Sequence, residues 1–397
     1  MNKLFRKFKY ILYLLFRPIW ELEKLVPRSK KIWIFGAWFG EKYSDNSKYV
    51  YEHAINFYPE IKAIWLTKSD EVLNKLKQQN KPVYKINSLA GAYYSLRAKW
   101  CFLSSGVDDV NKYFINGAKQ IWLWHGMPLK KIERSVELEN NIYTKKYKLF
   151  KVLFPYSNKN PYLSISSSAF FDPIIMEAFG LTEEKVLKVG LPRCDALFTI
   201  KDEPVIKKLR QKFNNATILL YMPTFRKIGI GNGKAFSPFV SDFGFDKDSF
   251  VRFLNEENII LLYKSHFVDS DLEIENFCER FIILSDNDFE DLYVLLNSVD
   301  GLITDYSSVY FDYLPKEKPI YLLAFDYENY IKQSRSHYYN MFQEMNGVYC
   351  NNWDDFYLKV KSNEFERINM EESRKKFASY LKGKSSDDVI KYLLSIK

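Results

Sequence analysis

Gly301-Leu302-Ile303-Thr304-Asp305-Tyr306-Ser307-Ser308 runs directly into Val309-Tyr310-Phe311-Asp312-Tyr313-Leu314. The first four residues form an apolar run that reads as a strand buried on both faces, and the residues from Val309 read as the start of a helix. Strand, turn and helix in that order are the repeating unit of an α/β domain, with the turn at the carboxyl end of the strand. A turn made of one acid and two hydroxyls is suited to a phosphate, because a new helix offers unpaired N–H groups and each serine adds a donor. Asp and Ser are also ordinary helix caps, so the tetrapeptide alone leaves both readings open.

Outward from this unit the same alternation fills the chain. Strands are expected at 31–35, 63–66, 100–103 and 120–124, with shorter ones at 163–168 and 186–189. Helices are expected at 46–56 and 70–79. After Gly190-Leu191-Pro192-Arg193, which we read as a hinge, the pattern restarts with strands at 216–221, 259–263, 281–284, 301–304 and 319–322. The pattern predicts two doubly wound parallel-sheet domains facing an interdomain cleft, a GT-B-like layout. The boundaries expected are an amphipathic helix over 1–24, an α/β domain over 25–195, a second α/β domain over 196–370 and C-terminal helices over 371–397. The glycine-rich run 228–234 lacks the Gly-Lys-Ser/Thr ending of a P-loop and does not match GxGxxG, so it is read as a loop.

A chain of 397 residues, 47 % hydrophobic and 17 % aromatic, has material for two large cores. Four cysteines without CxxC spacing argue against a disulfide framework or a zinc knuckle and suit a reducing cytoplasm. No metal or cofactor is expected. The net charge of +9 is concentrated at the start, where Lys3, Arg6, Lys7, Lys9 and Arg17 occur with no acid among them. On a helical wheel Lys3, Arg6, Lys7 and Arg17 oppose Leu4, Phe5, Phe8, Ile11, Leu12, Leu15, Phe16 and Ile19. The uncharged run 10–16 is too short to cross a bilayer, so the segment reads as a helix lying on an anionic membrane surface. That predicts a peripheral protein at the cytoplasmic face of the membrane. No nucleic-acid-binding motif accompanies the charge, and a nucleic-acid partner is not expected.

Several side chains sit where strands exit. His125 follows Ile121-Trp122-Leu123-Trp124 and precedes Gly126, a place where an imidazole can take a proton from a hydroxyl near neutral pH. His266 follows the strand at 259–263, and Lys264 alternates with it so that both point one way. Arg226 ends Tyr221-Met222-Pro223-Thr224-Phe225-Arg226, and its guanidinium matches a phosphate bidentately. Asp45-Asn46-Ser47-Lys48 opens a helix, with Ser44 or Asp45 as its cap. Lys130 and Lys131 either meet an anionic acceptor or are solvated. His53 and His337 are read as structural.

In order, Trp124-His125-Gly126-x-Pro128-Leu129-Lys130, Pro223-Thr224-Phe225-Arg226, Lys264-x-His266 and Thr304-Asp305-Tyr306-Ser307-Ser308 resemble the motifs of the CDP-glycerol glycerophosphotransferase family. These are the teichoic-acid primases and polymerases and their capsule-locus relatives. Asp45-Asn46-Ser47-Lys48-Tyr49, Gly190–Asp195 and Asp326-Tyr327-Glu328 add weaker echoes over roughly residues 30–340. The resemblance implies a GT-B fold, membrane association and transfer of glycerol or ribitol phosphate from CDP-glycerol or CDP-ribitol to a lipid-linked or capsular glycan. It places the family's histidines on His125 and His266, and its phosphate-binding loop on Asp305, Ser307 and Ser308. We assign Arg226 and Lys264 to the donor diphosphate, and Asp45, Asn46, Lys48 and Lys130 to the acceptor side. The chain departs from the family at Met127, usually threonine, and at Lys264 and Phe267, usually arginine and proline. It also lacks the large N-terminal domain of many polymerases. A GT-B glycosyltransferase using a nucleotide sugar, or a catalytically silent envelope-assembly scaffold, is the alternative.

Overall fold

The computed structural model describes residues 14–15, 17–18, 20–142, 144–157, 161–224, 237–264 and 274–396. Most of the expected N-terminal amphipathic helix, Arg226, His266 and the glycine-rich run 228–234 lie outside the described residues. By contacts the chain forms two units, one of residues 1–125, 132–193 and 384–397 and the other of 126–131 and 194–383.

The first unit holds a seven-stranded sheet in the order β3-β2-β1-β4-β5-β6-β7. Its strands are β1 (Ser29–Gly36), β2 (Lys62–Thr67), β3 (Val83–Lys85), β4 (Ala98–Leu103), β5 (Lys119–Trp122), β6 (Leu163–Ile165) and β7 (Val186–Leu187). Every pairing is parallel. The central strands are buried on both faces, and Trp33, Ile34 and Phe35 of β1 have no exposed surface. Helices cross between the strands, and several are started by a side-chain cap. Ser69 Oγ accepts the Val72 amide at 3.2 Å, for example, and Asp70 and Glu71 occupy the favourable first turn of Asp70–Gln78.

The second unit holds six parallel strands in the order β10-β9-β8-β11-β12-β13. These are β8 (Thr217–Tyr221), β9 (Ile259–Tyr263), β10 (Phe281–Ile283), β11 (Gly301–Thr304), β12 (Ile320–Leu323) and β13 (Val348–Cys350). Its core is aromatic: Phe250, Phe253, Phe281, Trp353 and Phe356 are buried together, and the Trp353 indole N–H donates to the Pro238 carbonyl at 2.8 Å.

The units divide between Arg193 and Cys194, inside the 3₁₀ helix Pro192–Phe198 that overlaps the end of the expected hinge. Arg193 is tied within the first unit to Asp45 at 2.9 Å. Cys194 Sγ lies 3.7 Å from Asp312 Oδ1 in the second. The stretch expected as separate C-terminal helices, 371–397, is shared. Helix Met370–Phe377 belongs to the second unit, where Ser373 Oγ is 2.9 Å from the Tyr310 hydroxyl. Helix Ser385–Ser395 belongs to the first, where Asp387 accepts from the Tyr58 hydroxyl at 2.5 Å and lies 3.4 Å from His53 Nε2. Among the described residues no helix is long and apolar enough to cross a membrane.

Candidate active site

In a doubly wound sheet the strand order reverses at one point, and the loops there splay apart to leave a crevice. In the first unit that point lies between β1 and β4, and His125 stands at the exit of the neighbouring β5. Its Nδ1 is 3.1 Å from the Ser104 carbonyl oxygen. A carbonyl only accepts, so the neutral ring carries its proton on Nδ1 and keeps a lone pair on Nε2. The half-buried ring lies against two indoles, Trp124 at 4.2 Å and Trp38 at 5.3 Å between centroids. Burial lowers its pKa below the ordinary histidine value, opposed by the charge of Asp45 and the bond to Ser104. At neutral pH the ring is therefore a free base.

The backbone around it is contorted and heavily tied. Trp124 has φ of +54° and Gly126 +145°, so the imidazole is presented from a sharp left-handed turn. Asn46, with no exposed surface, donates from Nδ2 to the carbonyls of Leu123 at 3.0 Å and Trp124 at 2.9 Å. Its Oδ1 accepts the Arg193 amide at 3.0 Å, and Arg193 pairs with Asp45. Ser47 Oγ is 2.8 Å from Ser104 Oγ. Buried Asp109 accepts the amides of Ser104, Ser105 and Gly106 on Oδ2 and that of Phe39 on Oδ1 at 2.7 Å. The β1 and β4 ends meet so closely that a Cβ on Gly36 would come 2.2 Å from the Asp109 carbonyl oxygen.

These contacts revise the acceptor-side assignments. Asp45 and Asn46 are buried in the frame that shapes the His125 turn, which takes them off any substrate-facing surface. Ser44 makes no side-chain cap, and Asp45 spends its carboxylate on Arg193 and the Asn46 amide at 2.8 Å. Lys48 is half-exposed, its ammonium 5.7 Å from the Tyr43 ring and 5.3 Å from the Tyr49 ring. Lys130 belongs to the second unit, where its Nζ donates to the Tyr330 hydroxyl at 2.5 Å. Its segment is stitched there by Lys131 N to the Ser336 carbonyl at 2.8 Å and Tyr338 N to the Leu129 carbonyl at 2.9 Å.

In the second unit the reversal lies between β8 and β11, and Asp305-Tyr306-Ser307-Ser308 occupies it. Asp305, fully buried, accepts the amide and hydroxyl of Thr224 at 2.8 and 2.5 Å and the Tyr306 amide at 2.5 Å. It organises the loop. Tyr306 stacks on Tyr330 at 4.0 Å and donates its hydroxyl to Asp326 at 2.9 Å. Within 301–314 every residue is buried except Ser307 and Ser308. Their amides make no hydrogen bond within the described residues, while Ser307 Oγ takes the Val309 amide at a long 3.4 Å. The helix behind them, Val309–Tyr313, is only 5 residues long. What the turn offers an anion is therefore local N–H and O–H groups more than a long helix dipole. Lys264 lies at the β9 exit, pairing with Asp286 at 2.7 Å. A cavity of about 470 Å³ opens at the β12 exit, lined by Phe325, Asp326, Tyr327, Asn340 and Phe342 among others.

Residue chemistry alone had not singled out Asp109, Trp38 or Ser104. Only the sheet order brings Asp109 to the loop after β1.

Two parallel α/β sheets, with a base-tautomer histidine in one and a Ser-Ser turn at the switch point of the other, define a GT-B-like protein. The model of the family CDP-Glycerol:Poly(glycerophosphate) glycerophosphotransferase matches residues 20–395, and the chain belongs to that family. It is 27 % identical to the teichoic acid poly(glycerol phosphate) polymerase of Staphylococcus epidermidis over 79 % of this chain and 43 % of that protein. It is equally 27 % identical to the teichoic acid ribitol-phosphate polymerase TarK of Staphylococcus aureus, over 96 % of this chain and 71 % of that one. The first of these relatives is thus more than twice as long as the part the chain matches. A solved structure of the wall teichoic acid polymerase TagF shares the fold, with a TM-score of 0.73 at 23 % identity over 99 % of this chain and 96 % of that one.

Proposed function

We propose that this protein transfers a polyol phosphate from a CDP-polyol to a hydroxyl of a lipid-linked or polymeric cell-surface glycan, in teichoic-acid or capsule biosynthesis. The acceptor oxygen attacks the β-phosphorus, the bond from that phosphorus to the bridging oxygen breaks, and CMP leaves with the electron pair. His125 Nε2 takes the hydroxyl proton. The observation that carries the reading is the His125 tautomer: Nδ1–H is committed to a backbone carbonyl, so the lone pair of Nε2 is the ring's only basic position.

Ser307 and Ser308 hold the diphosphate with the two open amides and their hydroxyls. Lys264, with Arg226 and His266 assigned from the sequence, neutralises charge growing on the leaving CMP. The cavity beside Asp326 receives the nucleoside, whose amino and hydroxyl donors suit its carboxylate. Family membership and the order of the four motifs support donor chemistry, with glycerol phosphate ahead of ribitol phosphate. The basic, apolar N-terminal stretch supports peripheral attachment to the cytoplasmic face of an anionic membrane.

The protein is incubated with CDP-glycerol or CDP-ribitol and glycan acceptors, and released nucleotide is identified. Acceptor-dependent CMP is expected. Release of a nucleoside diphosphate from a nucleotide sugar, with no CMP from either CDP-polyol, would refute the proposal.

A further inference from the structure

Beyond the end of β1, Trp38, Phe39 and Gly40 have consecutive φ values of +48°, +59° and +82°. Left-handed backbone is unfavourable for any residue with a Cβ, and an aromatic lacks the local side-chain hydrogen bonds that let Asn or Asp tolerate it. The surroundings enforce it here. Asp109 Oδ1 holds the Phe39 amide at 2.7 Å. The Gly40 carbonyl takes the Lys68 amide at 2.7 Å and the Thr67 hydroxyl at 2.9 Å. Lys68 Nζ donates to the Phe39 carbonyl at 2.5 Å. All this restraint achieves two placements. The Trp38 ring is held 5.3 Å from the His125 ring between centroids, and the next side chain, Phe39, stands 53 % exposed. Strained backbone over-determined by its neighbours concentrates at ligand sites.

We propose that the Trp38–Phe39 turn is the acceptor subsite, with Phe39 stacking on the sugar ring that carries the attacking hydroxyl and Trp38 holding the imidazole toward it. A pyranose offers a flat C–H face that packs on an aromatic ring, while its hydroxyls stay in water. A polyol-phosphate chain has no such face, so the preferred acceptor is a glycan. The inference rests on His125 acting as the base.

Phe39→Gly suits the left-handed backbone and removes only an exposed ring. Its melting temperature should match or exceed that of the parent chain. Its KM for a soluble glycan acceptor should rise about three- to tenfold, the range of one aromatic stacking contact, while the CDP-polyol KM stays. Phe39→Trp should restore the acceptor KM. An unchanged acceptor KM in Phe39→Gly overturns the subsite. So does a loss of KM confined to lipid-linked acceptors, which would mark a lipid contact, or a better turnover of poly(polyol phosphate) than of glycan. If the parent chain releases no CMP from any CDP-polyol, the proposed reaction fails but the subsite is still read by binding. Glycan quenching of tryptophan fluorescence, lost in Phe39→Gly, upholds it, and quenching equal in both chains refutes it.

Discussion

Each sheet reverses its strand order once, between β1 and β4 in the first unit and between β8 and β11 in the second, and each reversal is tied by a buried aspartate. Asp109 reaches from the β4 loop to the Phe39 amide of the β1 loop. Asp305 reaches from the β11 loop to Thr224 of the β8 loop. A carboxylate suits the task because it accepts several N–H and O–H donors at once, at a place where splayed strands leave those donors without ladder partners. The consequences differ. Around Asp109 the loops are aromatic and left-handed and present one lone pair, that of His125 Nε2. Around Asp305 they leave amides and hydroxyls open at Ser307 and Ser308. In the proposed reaction the first switch point accepts a proton and the second donates hydrogen bonds to an anion.

The comparison breaks most directly at His125. His125→Ala should lower transfer by roughly 10²–10⁴-fold, the usual worth of a positioned general base. Calorimetric affinity for CDP-glycerol should be unchanged, since no donor contact is lost. Normal turnover by this variant would remove the base from the first unit. The reciprocal change is Ser307→Ala with Ser308→Ala. It should weaken CDP-polyol affinity by roughly 100-fold, the worth of two charge-assisted hydrogen bonds at about 1.5 kcal/mol each, and leave the pH dependence of transfer alone. Unchanged affinity would refute the phosphate-cradle role.

How much of this was legible in the sequence differs between the same two regions. The Asp305–Ser308 turn was readable because its chemistry is contiguous: strand, acid, hydroxyls and helix follow one another within 301–314. The long strands were readable for the same reason, as unbroken apolar runs such as Ile259–Tyr263. The edge strands Val83–Lys85 and Val348–Cys350 were not anticipated, since three residues carry no periodicity and their partners lie elsewhere in the chain. The His125 surroundings were legible only at His125 itself. Trp38 and Asn46 come from the connection after β1 and Asp109 from the one after β4, and their roles exist only once β1, β4 and β5 are side by side. Asp45 and Asn46 were assigned to the acceptor because a polar run at a helix start reads as exposed, and it is burial against Arg193 that makes them framework.

Asp109 gives the smallest effect and the sharpest separation of the two regions. Burial pushes its carboxyl from an ordinary 3.8 up to about 6, against four amides that pull it down. Between those two values the native carboxyl holds a proton that the unfolded one has released. This group's contribution to stability is therefore full at the lower end and is lost as pH rises through about 6. Activity should run the other way. A protonated Asp109 gives up acceptor capacity toward Phe39 and the Ser104–Gly106 amides, and the His125 turn loosens. Transfer should thus decline below about pH 6 without a matching fall in melting temperature from this residue. His125, itself held below its ordinary pKa by burial, adds to the loss on the acid side, so that limb should be steeper than a single group gives. In Asp109→Asn the limb should relax to a slope of about one, with turnover at pH 7 a few-fold lower and donor affinity unchanged. A donor-affinity loss in that variant would mean the two aspartates do not divide the work as their hydrogen bonds indicate.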